Sequence, residues 1–133
     1  CHYQLKQYEK AIFLREKVLA GYQKSRFSLK HHYAGASILY RNLSMDYEGC
    51  GDFDKVISCC ENGIRLELDA NRAGFLGFLI EQKAYAEEMK GKSKGESKPQ
   101  YLRAYHILKL TKKEASLAIL KRYYQRNYQE TLD

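Results

Sequence analysis

One spacing dominates this chain. Apolar residues recur at intervals of three, four and seven almost from end to end, the period of an amphipathic helix. Leu5, Tyr8, Ile12, Leu19 and Tyr22 set the first stripe, with Ala11, Leu14 and Val18 widening it. This predicts a helix over about 3–24, broken by the polar cluster Gln23 to Ser28. A second is expected over 29–48 through Tyr33, Ile38, Leu39, Leu43 and Tyr47, a third over 53–68 through Phe53, Val56, Ile57, Cys60 and Ile64. Between these two, Gly49-Cys50-Gly51 reads as a tight turn and Asp52 as a helix cap. A fourth helix over 71–89 carries Phe75, Leu76, Phe78, Leu79, Tyr85 and Met89. No segment alternates as a half-buried strand does. Pro99 is the only proline, which argues for long helices and against a turn-dense β-sandwich. The expected fold class is all-α, about six helices stacked as antiparallel hairpins.

Beyond residue 90 the composition changes. Gly91 to Lys98 holds no apolar residue and reads as an exposed, mobile loop. Pro99 then suits the first turn of a fifth helix, over 99–110. Thr111-Lys112-Lys113-Glu114 has the form of a capping box and would start a sixth, whose buried stripe is Leu117, Leu120, Tyr124 and Tyr128.

The formal charge of +7 belongs to this end. Residues 1–89 carry 12 basic and 12 acidic side chains, whereas residues 90–126 carry 11 basic and 2 acidic. Lys109, Lys112, Lys113, Lys121, Arg122 and Arg126 form the candidate basic patch. Three readings stand: a solvated polar cap on the last helix, contact with an acidic partner, or contact with phosphates of DNA held mainly elsewhere. Direct base reading is not expected, because no helix-turn-helix pattern occurs.

The four cysteines, Cys1, Cys50, Cys59 and Cys60, show no C-x-x-C pair and no zinc spacing. Reduced and mostly buried thiols in a cytoplasmic protein are the expectation. His31 and His32 are neighbours and cannot chelate one ion from a helix. No metal, cofactor or catalytic residue is assigned, since no nucleophile elbow, H-E-x-x-H or phosphate loop is present. Enzyme activity is not expected, and Glu87-Glu88 reads as a solvated helix end. No run approaches a membrane span. The chain begins at Cys1 without a signal-peptide pattern and is expected to be an excised piece of a longer protein.

A triplet recurs along the sequence: Tyr8, Ala11, Arg15, then Phe53, Val56, Cys60, then Tyr101, Ala104, Leu108. An aromatic locks one helix against its partner while the smaller residue lets the axes approach. Repetition of this kind belongs to stacked hairpins with a continuous core. The central unit resembles the tetratricopeptide repeat. Tyr40, Leu43, Ser44 and Tyr47 fall at the W-x-x-L-G-x-x-Y spacing, with Tyr for Trp and Ser for Gly, and Val56 and Cys60 at A-x-x-x-F. The likeness is strongest over 37–69. The triplets lie 45 and 48 residues apart, against about 34 in the standard repeat, and the closing proline is missing. On this basis the chain divides into a half repeat (1–24), a repeat (29–69), a repeat with a loop insertion (71–110) and a capping helix (111–130) of a tetratricopeptide-like solenoid.

The C-terminal text, Tyr101 to Leu110 followed by a basic helix ending Lys121-Arg122-Tyr123-Tyr124, is similar to the body of Gram-positive helix-turn-helix/tetratricopeptide transcription regulators. The resemblance implies a body that dimerises or senses a peptide, with its DNA-binding head outside this chain. A constitutive protein-interaction scaffold is the alternative. In such arrays the first helix of each hairpin lines a concave surface. That implies a peptide- or protein-binding row of Ile38, Arg41, Asn42 and Met45, with Phe78 and Gln82 from the fourth helix. An Asn amide at residue 42 both donates and accepts, as a peptide main chain requires; equally it could be a solvated helix residue. Arg41 could hold a carboxylate bidentately or serve only solubility.

Overall fold

The computed structural model describes residues 2–24, 33–69, 73–130 and 132. It contains six helices: α1 (His2–Lys24), α2 (Tyr33–Gly49), α3 (Phe53–Asp69), α4 (Leu76–Met89), α5 (Lys94–Leu110) and α6 (Glu114–Tyr128). No strand occurs among the described residues. Each helix packs on its successor and α2 also touches α4, so the chain is a stack of helical hairpins. Cys1, the breaker segment 25–28 and His31-His32 lie outside the described residues.

The recurring triplet falls on α1, α3 and α5, every second helix of the stack. Val56, Cys60, Tyr101, Ala104 and Leu108 are buried. So are Tyr40, Leu43, Ser44 and Tyr47, which form the inward face of α2. Two cores result. The first gathers Tyr40, Leu43, Val56, Cys60 and Leu79, the second Leu76, Ile80, Tyr101, Leu108, Leu120 and Tyr124. Helix α4 contributes to both, and half-buried Ile64 packs against each. Glycine sets the closest approaches. A Cβ on Gly63 would stand 2.9 Å from Leu79 Cδ1 and 3.2 Å from Tyr40 Cβ, so α3 can lie against α2 and α4 only without a side chain there.

Three of the hairpin reversals close by one device. After α2, Asp52 N–H donates to Tyr47 O and Gly51 N–H to Glu48 O, both at 2.9 Å. After α4, Lys92 reaches Glu87 O and Gly91 reaches Glu88 O. After α5, Lys113 reaches Leu108 O and Lys112 reaches Lys109 O. These bonds satisfy carbonyls that a helix end leaves open, and the pivot residue must take positive φ. Gly51 (+75°) and Gly91 (+109°) do so without strain, but the third pivot is Lys112 at +57°. Replacing Lys112 with glycine is therefore expected to raise stability by about 0.5–1 kcal/mol, read as a higher urea midpoint.

That turn corrects the capping-box expectation. Thr111 ends α5, its hydroxyl donating to Ile107 O at 2.8 Å, and α6 starts after Lys113 with no side-chain cap. The loop over 91–98 is corrected as well, since α5 begins at Lys94. Ser93 caps it by accepting from Glu96 N–H at 3.2 Å, the S-x-x-E form that the sequence also carries. Pro99 consequently lies inside α5 rather than in its first turn. Asp52 caps α3 as expected, accepting from Lys55 N–H at 3.3 Å. Residues 73–75 precede α4, which starts at Leu76, while 71–72 of the expected helix lie outside the described residues. The carboxylate of buried Glu67 accepts the Phe75 N–H at 3.0 Å at the entrance of α4.

The expected stripe on α1 is only partly buried. Ile12 and Leu19 pack on the first core, whereas Phe13, Leu14 and Val18 form an exposed apolar row, Phe13 being 66% accessible. Arg15 pairs with Asp46 and Tyr47 donates to Glu16, which ties α1 to α2. Cys59 and Cys60 are free and buried, and burial pushes both thiols up to about 12. Thiols so raised hold little thiolate and react slowly while the core is closed.

Candidate functional site

Buried residues occupy one side of α2, which leaves Ile38, Asn42 and Met45 along the other at helical spacing of four and three. Ile38 is 43% and Met45 44% accessible. Half-buried Asn42 has no side-chain partner among the described residues. At the edge nearest α4, the Arg41 guanidinium lies 5.7 Å from the Phe75 ring centroid and 5.3 Å from that of Phe78. This is cation–π distance, and the rings hold the fork against α4. One turn on, Gln82 donates through Nε2 to Glu48. The fold thus brings Arg41, Phe78 and Gln82 together at the α2/α4 seam beside Ile38, Asn42 and Met45, an amide flanked by open apolar side chains.

Glu48 and Gln82 continue this face into a cavity of about 180 Å³ whose other lining residues are Glu81, Tyr85, Tyr101, Ile119 and Tyr123. Four helices contribute: α2, α4, α5 and α6. The tyrosines form an aromatic corner, Tyr85 edge-on to Tyr123 at 6.0 Å and Tyr101 tilted against Tyr123 at 5.1 Å. Burial raises the Glu81 carboxyl to about 7, with the Glu48 charge adding to the effect. The unfolded chain holds this proton less tightly, so Glu81 favours folding at low pH. That contribution is expected to fade as pH rises from the ordinary 4.5 towards about 7. Glu81→Gln should abolish the fade, leaving a variant more stable than the wild type at pH 8. Urea melts of the two proteins at several pH values check this.

Behind the cavity, Glu88 corrects its reading as a solvated helix end. Its carboxylate accepts from Ser97 on α5 and from Tyr123 and Tyr128 on α6, Tyr128 Oη lying at 2.7 Å, while Tyr101 Oη stands at 3.4 Å. Burial would raise this carboxyl, but the four hydroxyl donors outweigh it and hold it below the ordinary value. Tyr123 is pushed up to about 12, by burial first and by its bond to Glu88 second. The hydroxyls therefore stay protonated and fix the rings that line the cavity.

The basic end divides in two. Lys90 pairs with Asp54, Lys92 with Glu87 at 3.5 Å and Lys98 with Glu130 at 2.6 Å. Lys109 lies 5.7 Å from the Tyr105 ring centroid. Lys112, Lys113, Arg122 and Arg126 are exposed and Lys121 half-buried, and none of the five pairs with a carboxylate among the described residues. Arg122 and Arg126 stand one turn apart on the outer side of α6.

Among the described residues no group of three or more His, Cys, Asp or Glu is placed to hold a metal ion, and no helix is long and apolar enough to cross a membrane. Sequence reasoning singled out the α2/α4 row, with Glu48 one turn on, but did not connect Glu81, Tyr85 and Tyr123 with it. Their helical positions are visible in the sequence, but only tertiary packing brings them to one cavity. Comparison with protein-family models, with curated proteins and with solved structures found no match.

Proposed function

We propose that the chain is a tetratricopeptide-like helical repeat that binds a peptide or protein segment along the α2/α4 face. The observation that carries this reading is the row Ile38–Asn42–Met45. Its exposed apolar side chains flank an amide without a side-chain partner among the described residues, and the Arg41/Phe78 stack borders it. An extended segment laid there would bury Ile38 and Met45 and exchange main-chain hydrogen bonds with Asn42. The contacts of α2 with α1, α3 and α4 support the repeat reading, as does the burial of the Tyr40, Leu43, Ser44 and Tyr47 positions.

Panning a displayed octapeptide library and titrating the selected peptides by calorimetry tests the proposal. Saturable binding is expected, weakened about tenfold by Asn42→Ala and lost in Met45→Glu. Selected peptides that bind Met45→Glu as well as wild type would remove this face from consideration.

By resemblance, the repeat serves as the sensing or dimerisation body of a cytoplasmic transcription regulator whose DNA-binding head lies outside these residues. A gene with no helix-turn-helix encoded ahead of residue 1 would sink that part. The second reading, a constitutive protein-interaction scaffold, is favoured by the exposed row Phe13, Leu14 and Val18 on α1. It expects no saturable binding of short peptides in calorimetry and an unchanged partner affinity in Asn42→Ala. Phosphate contact through Lys112, Lys113, Arg122 and Arg126 is the least supported use, and steeply salt-dependent duplex binding would be its mark.

A further inference from the structure

The cavity between α2, α4, α5 and α6 has a chemistry of its own. At about 180 Å³ it is smaller than the roughly 300–1,000 Å³ of sites that take whole cofactors or drug-sized ligands. It suits a single side chain. Two carboxylates, Glu48 and Glu81, face it, and no basic residue lines it among the described residues. Glu48 has the Gln82 amide as donor, but Glu81 has no hydrogen-bond or ion-pair partner among the described residues. The walls are the rings of Tyr85, Tyr101 and Tyr123, with Ile119 supplying an apolar surface. The Tyr123 hydroxyl is committed to Glu88, so that residue offers its ring rather than its oxygen.

Each kind of occupant can be weighed against this lining. An anion would meet two carboxylates and aromatic π-density. A neutral alkyl group would satisfy the rings but strand Glu81 further from water. A cation on an aliphatic stem satisfies all of it: charge to the carboxylates, methylenes to Ile119 and the rings, and cation–π attraction besides. We propose that this cavity binds the side chain of a lysine or arginine carried by a peptide or protein segment. Only the source of the cation rests on the peptide-binding reading; the pocket's preference for a basic group does not.

Binding has a proton signature. Burial raises the Glu81 carboxyl to about 7. The other titratable groups facing it there are Glu48 from α2, Tyr85 on α4 itself, Tyr101 from α5 and Tyr123 from α6. A cation seated beside Glu81 favours its charged form, so occupation near pH 7 releases a proton and affinity rises with pH through that range.

The test titrates the whole chain with N-acetyl-lysine methylamide, its arginine counterpart and the norleucine analogue, which has the stem but no charge. The Ile119 methyl and tyrosine ring resonances report occupancy, and calorimetry in two buffers reports the proton. The lysine or arginine probe is expected to saturate these shifts with proton release, the norleucine probe to bind about tenfold more weakly or not at all. Glu81→Gln, which removes a like-charge contact and should fold at least as well, is expected to lose the proton release and about tenfold in affinity. Equal binding of norleucine, absence of saturable shifts with either cation, or undiminished affinity in Glu81→Gln would overturn the inference. Probe binding without any peptide binding would leave the cavity standing and remove the peptide reading. Peptides that bind across Ile38 and Met45 with no gain from a basic residue would remove the cavity alone.

Discussion

Tyr101→Ala is expected to cost about 3–5 kcal/mol, the range for deleting a fully buried aromatic side chain. Tyr101 is only 1% accessible and stands at the centre of the second core. Its ring packs on Tyr123 and Tyr128, and its hydroxyl reaches towards Glu88. A loss of this size consumes much of the margin that a small domain has. The cysteines show how far the damage spreads, because Cys59 and Cys60 belong to the first core. Helix α4 feeds both cores, so both thiols are expected to become alkylatable at the urea concentration where the Leu120 methyl and Tyr124 ring resonances report the second core opening. Protection that outlasts the change in these resonances would show that the two cores unfold separately, as weakly coupled repeats do.

Gly77→Leu is expected to cost about 3 kcal/mol, near the upper end for overpacking. A Cβ at residue 77 would stand 2.8 Å from Leu108 Cγ and Cδ2 and 3.3 Å from Ile107 Cγ2. Leu108 is buried and cannot swing aside, so α4 and α5 would have to part. The change should lower the thermal midpoint and, because Tyr101 rides on α5, loosen the cavity wall. Gly77→Ala should show a smaller loss in the same direction, partly offset by alanine's better helix propensity. A Gly77→Leu protein that melts like wild type would mean that the helices do not approach as closely as described.

The helices were legible because their signals are local. The triplet of an aromatic, a smaller apolar residue three on and a third residue four after that marks one face of α1, α3 and α5. The Gly51 turn and the Asp52 cap rest on residues within a few positions of one another. What misled was equally local. Pro99 suggested a helix start, yet Ser93 and Glu96 had already made one. Thr111 to Glu114 matched a box by residue type, while the backbone used the segment to end α5. Glu88 could not be read at all from its neighbours, since its donors come from residues 97, 101, 123 and 128. The same holds for the site. Arg41 and Phe78 could be picked by their helical spacing, but that they stack, and that Glu81 and Tyr123 line one cavity, depends on tertiary packing.

Pro99 has no N–H to offer the Gly95 carbonyl, so the hydrogen-bond ladder of α5 is interrupted after its opening turns. Residues 94–98 are held instead from outside: Ser97 by Glu88, Lys94 by Asn127 at 3.0 Å and Lys98 by Glu130. Two of those three anchors sit on the last turn of α6 or just past it. The beginning of α5 and the end of α6 therefore make a small cooperative unit of their own, joined by contacts 32 and 33 residues apart in the chain. In amide hydrogen exchange the two stretches are expected to open together, at a lower free energy than the ladder between Tyr101 and Leu110.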